Sequence, residues 1–186
     1  MSRFIVTDTP LAGVKIIERQ HIGDSRGFFS RMFCAEELAT AGWIKPIAQI
    51  NLNRTSRAGS LRGMHYQYPP HAEMKLVNCV RGRILDVAVD LRAGSPTFLR
   101  WHAEELSSDN RRALLIPEGF AHGFQTLTDD CEVLYMTSHP YTPSAEGGIR
   151  ADDPRIDIIW PLDFAEISDR DRNHPLLTES FEGLAL

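Results

Sequence analysis

Cysteine is scarce in this sequence. The three cysteines, Cys34, Cys79 and Cys131, lie far apart, and no two of them form a C-x-x-C motif. Small secreted domains that depend on disulfides carry dense, even-numbered sets of cysteines, which this chain lacks. We therefore expect reduced, buried thiols in a cytoplasmic protein.

Long apolar runs and blocks of basic residues are also missing. No apolar run approaches the roughly 20 residues that cross a bilayer. The N-terminus, "MSRFIVTDTPLAGVKII", has neither the apolar core nor the cleavage-like end of a signal peptide. The formal net charge is -5. A mildly acidic chain without a basic block is a poor candidate for binding nucleic acid or an anionic membrane, so we expect neither as a partner.

Helical periodicity is limited to short stretches. "CAEELATAGW" (34–43) predicts one helix that is closed by Gly42, and "DFAEISDRDRNHPLL" (163–177) predicts one or two short turns. Elsewhere, short runs of β-branched and aromatic residues alternate with turn residues. About eight to ten such strands, without a repeat or a linker, predict an all-β protein. We expect a double-sheet jelly roll or barrel with a few short helices, in a single domain over residues 1–186.

Two segments carry further structural expectations. The segment 75–91 predicts a β-hairpin with its turn at Arg81 and Gly82. In its second strand, apolar and largely polar positions alternate, which predicts one apolar face and one polar face. The apolar positions are Leu85, Val87 and Val89, and the others are Asp86, Ala88 and Asp90. From Asp152 onward, the chain is expected to wrap back over the body as extended segments and turns.

A metal site is the first chemical hypothesis. "PEGFAH" places His122 in a P-x-G-x-x-H pattern that resembles the second metal-binding motif of cupins, which are jelly rolls. The first cupin motif would fall on His65, Tyr66 and Gln67, with Gln67 where a second histidine is needed. A neutral amide is a poor ligand for zinc or iron beside imidazole. The cupin shape is therefore predicted, but no metal is.

Proton transfer is the second hypothesis. A histidine titrates near neutral pH and is a natural base, provided that a carboxylate fixes its tautomer. A tyrosine can return the proton, and a cation can stabilise the oxyanion that develops next to it. His65, Lys75, Tyr135 and the aspartates of "SDRD" (168–171) could form such a set.

A series of motifs supports the second hypothesis. The motifs are "DSRGFF" (24–29), "QINLNRTSRAGSLRGMHYQ" (49–67), "KLVNCVRGRILDVAVDLR" (75–92), "SPTF" (95–98), "IPEGFAHGF" (116–124), "LYMTSHPY" (134–141), "DDPRIDIIWP" (152–161) and "ISDRD" (167–171). Each is weak alone, whereas all of them in order form a strong signal. On these motifs the chain resembles the dTDP-4-dehydrorhamnose 3,5-epimerase family, from about residue 4 to residue 178.

The resemblance implies a fold and an activity. It implies a jelly-roll homodimer that works without a metal or an organic cofactor. The implied reaction inverts C3 and C5 of a dTDP-linked 4-keto-6-deoxyhexose, converting dTDP-4-dehydro-6-deoxyglucose to dTDP-4-dehydro-L-rhamnose. Two alternatives stay open: an epimerase that acts at C3 or C5 only, on a related nucleotide sugar, and a metal-binding cupin.

The resemblance also implies catalytic roles. His65 is expected to be the general base, with Asp171 as its carboxylate partner and Asp169 as the competing candidate. Tyr135 is expected to deliver a proton to the opposite face of the ring. Lys75 is expected to lie beside the O4 enolate.

Substrate-binding roles follow in the same way. Arg62 and Arg26 are expected to contact the diphosphate, with Arg26 coming from the partner subunit. His122 is expected to support the site. The remaining expected contacts are Gln49 and Asn51 to the sugar or nucleotide, and Phe29, Tyr141 and Glu146 to the base and ribose. The sequence departs from the family pattern at Ser30 and Arg31, where many members carry a glutamate.

Overall fold

The computed structural model describes residues 2–186, which form short strands joined by turns. The strands are β1 (Phe4–Asp8), β2 (Lys15–Arg19), β3 (His21–Asp24), β4 (Gly27–Ser30), β5 (Gln49–Thr55), β6 (Leu61–Gln67), β7 (Lys75–Arg81), β8 (Arg83–Asp90), β9 (Trp101–Ser107), β10 (Arg112–Ile116), β11 (Phe120–Thr126), β12 (Cys131–Thr137) and β13 (Glu146–Gly148). The helical elements are α1 (Ala35–Ala39), a 3₁₀ turn (Pro143–Ala145) and α2 (Asp169–Arg172).

Two antiparallel sheets make up the body of the molecule. One has six strands in the order β1-β2-β10-β7-β12-β5, and the other has five in the order β13-β6-β11-β8-β9. Strands β3 and β4 form a separate two-stranded ribbon. Most neighbours within the two large sheets are distant in sequence, as expected for a jelly roll. The predicted all-β, double-sheet architecture is confirmed.

The core lies between the two sheets. Val77 and Leu114 from the six-stranded sheet pack with Ile84 and Phe124 from the five-stranded sheet. Each of these side chains is at most 4% exposed, and burying such a side chain contributes about 1.5–3 kcal/mol. This cluster holds the two sheets face to face.

Part of each outer face is covered by chain segments outside the sheets. The segment that contains α1 packs Leu38 and Trp43 on the six-stranded sheet. Ile156, Ile158 and Leu184 from the C-terminal segment pack on the five-stranded sheet. The prediction that the chain wraps back over the body after residue 152 is confirmed.

The predicted hairpin over 75–91 is wrong. Strand β7 pairs with β10 and β12, whereas β8 pairs with β11 and β9 in the other sheet. The turn does fall at Gly82, whose φ of +75° suits glycine. A Cβ at Gly82 would lie 2.7 Å from the Sγ of Cys131. The chain therefore crosses from one sheet to the other at this tight turn.

The polar face predicted for β8 is buried as well. Asp86 and Asp90 are both 0% exposed. Asp86 bonds to His122, and Asp90 accepts from Arg92. Period-2 alternation distinguishes the two faces of a strand, but it does not show which face meets water.

The predicted helix over 34–43 is shorter than expected. It spans Ala35–Ala39, and Gly42 follows it with a φ of +107°. The prediction of one or two short turns over 163–177 is confirmed by α2. Among residues 2–186, no helix has the length and apolar character needed to cross a bilayer.

Candidate active site

Two adjoining cavities open between the sheets. Their volumes are about 610 Å³ and 390 Å³. His65, Lys75, Tyr135 and Arg170 line both of them. His65 comes from β6 in the five-stranded sheet, whereas Lys75 and Tyr135 come from β7 and β12 in the six-stranded sheet. A ligand in this space would therefore have the imidazole on one wall and the phenol on the other.

His65 forms a close pair with Asp171. The His65 Nε2 lies 2.7 Å from the Asp171 Oδ1, and the Asp171 side chain is 3% exposed. The backbone N–H of Gly63 donates to the other carboxylate oxygen at 3.1 Å. Ser168 caps the N-terminus of α2, and its hydroxyl accepts a hydrogen bond from the Asp171 backbone N–H, which orients the start of this helix. The carboxylate is thus fixed by groups from β6 and from its own turn.

The charge state of Asp171 follows from these contacts. Burial alone would raise the pKa of this carboxyl group, but its hydrogen bond and charge interaction with His65 outweigh burial. The Gly63 N–H and the Arg170 guanidinium lower the pKa further, so it lies well below its usual value. Asp171 is therefore a carboxylate at neutral pH. Because a carboxylate only accepts, this hydrogen bond requires the proton on Nε2, and in the neutral form of such a ring the lone pair lies on Nδ1.

The structure separates the two candidate partners of His65. Asp169 is the first residue of α2 and is exposed, whereas Asp171 is buried against the imidazole. Of the two aspartates that the sequence left open, Asp171 is the one paired with His65.

Lys75 and Tyr135 lie on the facing wall. The Lys75 Nζ is 3.1 Å from the Glu73 Oε1 and donates to the backbone oxygen of His65 at 3.3 Å. These contacts hold the ammonium group at the centre of the site. Burial raises the pKa of Tyr135, although nearby Arg62 opposes that shift. The phenol is therefore protonated at neutral pH and can donate.

A second histidine–aspartate pair lies nearby. The His122 Nε2 is 2.7 Å from the Oδ1 of Asp86, which is fully buried. His122 on β11 is the cross-strand neighbour of His65 on β6 and lines the larger cavity. The Oδ2 of Asp86 is buried without a hydrogen-bond partner among residues 2–186.

Most of the predicted substrate-binding residues also line the cavities. Arg62 and His122 line the larger one, and Arg62 donates to the Thr55 hydroxyl at 2.9 Å. The smaller cavity is lined by Gln49, Asn51, Tyr141 and Glu146.

Two predicted residues lie elsewhere in the same chain. Arg26 and Phe29 are on the β3–β4 ribbon and line neither cavity. The Arg26 side chain is 87% exposed and pairs with Asp24. Their roles in substrate binding stay predictions.

Comparison with known proteins places this site in a family. The profile of the dTDP-4-dehydrorhamnose 3,5-epimerase family matches residues 8–179. A relative from Shigella flexneri, dTDP-4-dehydrorhamnose 3,5-epimerase, is 44% identical over 169 residues, which cover 90% of this chain and 93% of the relative. This chain belongs to the dTDP-4-dehydrorhamnose 3,5-epimerase family.

Solved structures agree with this assignment. The epimerase of Legionella pneumophila in complex with dTDP-4-keto-L-rhamnose has a TM-score of 0.87 and 39% identity, covering 91% of this chain and 90% of that chain. ChmJ of Streptomyces bikiniensis, a 3'-monoepimerase in complex with dTDP-quinovose, has a TM-score of 0.83 and 36% identity, covering 90% and 85%. The fold of the epimerase family thus also carries an epimerase that acts at one centre.

Arg170 is a site residue that the sequence analysis missed. It lies between the two aspartates of the epimerase motif "ISDRD". Its guanidinium donates to Asp171 at 3.2 Å and to Glu146 at 3.0 Å, and Glu146 accepts from the Tyr141 hydroxyl at 3.0 Å. Arg170 therefore connects the expected nucleotide end of the site with the His65–Asp171 pair. Its position next to Asp171 was the signal in the sequence that could have indicated a place in the site.

His174 is a second residue that sequence analysis left without a role. Its Nε2 is 3.8 Å from the Asp171 Oδ1, and its ring meets the His65 ring edge to face at 5.7 Å between centroids. The sequence carried no local signal for this role, because α2 ends at Arg172 and His174 lies beyond the helix. His65, Asp171 and His174 offer ligand atoms that all lie within 4.8 Å of one another, a spacing that could hold a metal ion.

The cupin ligand set is not assembled in this member of the epimerase family. The side chain of Gln67 donates to Glu73 and to the backbone oxygen of His71, and its own oxygen accepts from the Thr142 N–H. The amide that replaces the second cupin histidine is thus used to hold the surrounding loops. His122, from the second motif, is directed at Asp86.

Proposed function

We propose that this chain catalyses the 3,5-epimerisation of a dTDP-linked 4-keto-6-deoxyhexose, forming dTDP-4-dehydro-L-rhamnose from dTDP-4-dehydro-6-deoxyglucose. Family membership makes the chain an isomerase. The observation that carries the proposal is the pairing of His65 with a buried carboxylate, opposite the protonated phenol of Tyr135. Inversion of a carbon requires a base on one face of the ring and an acid on the other.

In the proposed first step, His65 removes the proton from a carbon next to the keto group. Asp171 stays ionised, fixes the imidazole tautomer and stabilises the imidazolium that forms. The electron pair moves onto the keto oxygen and gives an enolate. Lys75 lies on the facing wall and stabilises this oxyanion with its ammonium group. This stabilisation makes deprotonation of the carbon accessible.

In the proposed second step, Tyr135 returns a proton to the same carbon from the opposite face. Burial keeps the phenol protonated until the enolate forms. After each inversion the His65 imidazolium releases its proton to solvent and the Tyr135 phenolate regains one. The two steps can then be repeated, so that both C3 and C5 are inverted. The overall reaction moves protons only and has no need of a redox cofactor or a metal.

The nucleotide end of the proposed complex lies in the smaller cavity. Tyr141 offers an aromatic face at its rim, and its hydroxyl is held by Glu146. Arg62 borders the larger cavity and would meet the diphosphate through its exposed guanidinium edge. Gln49 accepts from the Tyr141 N–H and so positions this segment.

We also propose a homodimer with Arg26 acting in the partner's site. The β3–β4 ribbon exposes Phe28 and Phe29, with 68% and 58% of their surfaces accessible, and it carries Arg26 at its tip. Apolar side chains on an exposed ribbon are typical of a protein–protein interface. A cytoplasmic location is proposed on the three unpaired thiols.

Proton NMR in deuterated water tests the proposed function. The purified chain is incubated with dTDP-4-dehydro-6-deoxyglucose while the C3 and C5 signals are followed. Loss of both signals with formation of the L-sugar supports the proposal. Loss of one signal identifies a single-centre epimerase, and retention of both contradicts epimerisation of this substrate.

A further inference from the structure

The environment of His174 points to a further role for the His65–Asp171 pair, called the dyad below. The proposed reaction does not require this role. The His174 Nε2 is buried and has no hydrogen-bond partner among residues 2–186. A buried polar atom without a partner has a free-energy cost, so its presence calls for a physical reason. The Asp171 Oδ1 lies 3.8 Å from this nitrogen, which is beyond hydrogen-bond distance.

The His174 ring is held in place by the sheet. Gly148 on β13 is the cross-strand neighbour of His65. A Cβ on Gly148 would lie 2.2 Å from the His174 ring, so the ring sits directly on the glycine. The position of His174 next to His65 is therefore set by packing against β13, in addition to its spacing from Asp171 along the chain.

Two imidazoles and one carboxylate are a recognised donor set for Zn²⁺. Tetrahedral zinc with bonds of about 2.0 Å separates neighbouring ligand atoms by about 3.3 Å. The distance from Asp171 Oδ1 to the His65 Nε2 is 2.7 Å, and to the His174 Nε2 it is 3.8 Å. Shifts of about half an ångström in each side chain would equalise these two distances to Asp171. All three ligand atoms lie within 4.8 Å of one another.

We propose that His65, Asp171 and His174 form an inhibitory binding site for Zn²⁺. The metal would take the Nε2 lone pair of the His65 tautomer that carries its proton on Nδ1, and it would bind the Asp171 oxygen that now pairs with Nε2. The dyad could then no longer act as a base. Hard cations such as Mg²⁺ prefer oxygen ligands and would not compete for this set.

Arg170 opposes metal binding in this structure. Its terminal nitrogen is 3.1 Å from the His65 Nε2, and its Nε is 3.2 Å from the Asp171 Oδ1. A guanidinium in that position repels a divalent cation. The side chain is 52% exposed and also reaches Glu146, so it can withdraw from the dyad without unfolding. Removing this positive charge should therefore strengthen zinc binding.

Calorimetric titration of the chelator-treated, full-length protein with ZnCl₂ near neutral pH tests the site. The wild type is expected to bind one Zn²⁺ per chain and to show no comparable signal with MgCl₂. His174→Gln should weaken zinc binding by at least about tenfold, since even changes around metal ligands cost about 10- to 100-fold. Arg170→Gln should tighten zinc binding. His102→Gln is the control: it alters a histidine on β9 that lies 3.7 Å from Glu104, and it should leave zinc binding unchanged.

The titration separates this inference from the proposed function. The inhibitory role rests on the epimerase activity, whereas zinc binding does not. Absence of saturable zinc binding, or binding that His174→Gln leaves unchanged, would overturn the site. If zinc binds as expected but epimerisation continues at saturating zinc, the inhibitory role is wrong. If no epimerisation occurs even without zinc, the proposed function fails, while the titration still decides the metal site.

Discussion

The two histidine–aspartate pairs of this protein have the same geometry and different surroundings. Both His65–Asp171 and His122–Asp86 have a nitrogen–oxygen distance of 2.7 Å. Both histidines line the larger cavity, but only His65 also lines the smaller one. Asp171 accepts hydrogen bonds at both oxygens, whereas one oxygen of Asp86 is buried without a partner among residues 2–186.

This difference bears on which pair can act as a base. A carboxylate that is satisfied at both oxygens is fixed and stays ionised, so it can stabilise a protonated imidazole. His65 also faces Lys75 and Tyr135 across the cavities, where a sugar could be held between them. We therefore propose His65 as the base and a supporting, substrate-contacting role for His122.

Replacement of the two histidines should give the largest contrast. His65→Asn removes the proposed base and should lower the epimerisation rate by about 10²- to 10⁴-fold. His122→Asn should lower it by about tenfold, equivalent to about 1.4 kcal/mol of transition-state stabilisation. Steady-state rates measure both, and circular dichroism checks that each variant folds. Equal losses in the two variants would remove the distinction between the pairs.

Replacement of Asp171 and Asp169 should have a smaller effect on the epimerisation rate than replacement of His65, and it tests which aspartate supports the base. Asp171→Asn keeps the shape of the side chain but loses the charge that stabilises the imidazolium, so the rate should fall by about 10²-fold or more. Asp169→Asn is the matched control on the exposed face of α2 and should stay within about twofold of wild type. A larger loss in Asp169→Asn than in Asp171→Asn would transfer the partner role to Asp169.

The acid stability of the fold should show the smallest effect. The pKa of Asp171 is lowered in the folded protein, so its stabilising contribution is present above the unfolded pKa of about 3.9 and is lost as the pH falls below it. When the pH is lowered from about 5 to 3, the free energy of unfolding should therefore fall less in Asp171→Asn than in wild type. The difference between the two decreases should be on the order of 1 kcal/mol. Urea unfolding at several pH values measures this slope, and a slope equal to that of wild type would contradict the charge state assigned to Asp171.

The sequence predicted the architecture and most of the site because both depend on local patterns. The strand pattern indicated a jelly roll or barrel. The resemblance of the ordered motifs to the epimerase family pointed to His65, Lys75, Tyr135 and Asp171, which the fold brings to the same pair of cavities. The functional roles of these residues, and a single domain over residues 1–186, stay predictions.

The errors concern contacts between distant segments. The hairpin over 75–91 was wrong because a period of two describes the faces of a strand and not its hydrogen-bonded neighbours. His174 was missed because its position depends on packing against Gly148 of β13, which no local pattern reveals. Arg170 was missed because its partners, Glu146 and Asp171, meet only in the folded chain.

Hydrogen exchange at C3 and C5 in deuterated water, compared between His65→Asn and Tyr135→Phe, tests the central claim most directly. If His65 is the base and Tyr135 the acid, Tyr135→Phe should still exchange these protons but form little inverted product. His65→Asn should then show neither exchange nor inversion. Exchange that persists in His65→Asn and disappears in Tyr135→Phe would contradict the assignment of the two roles.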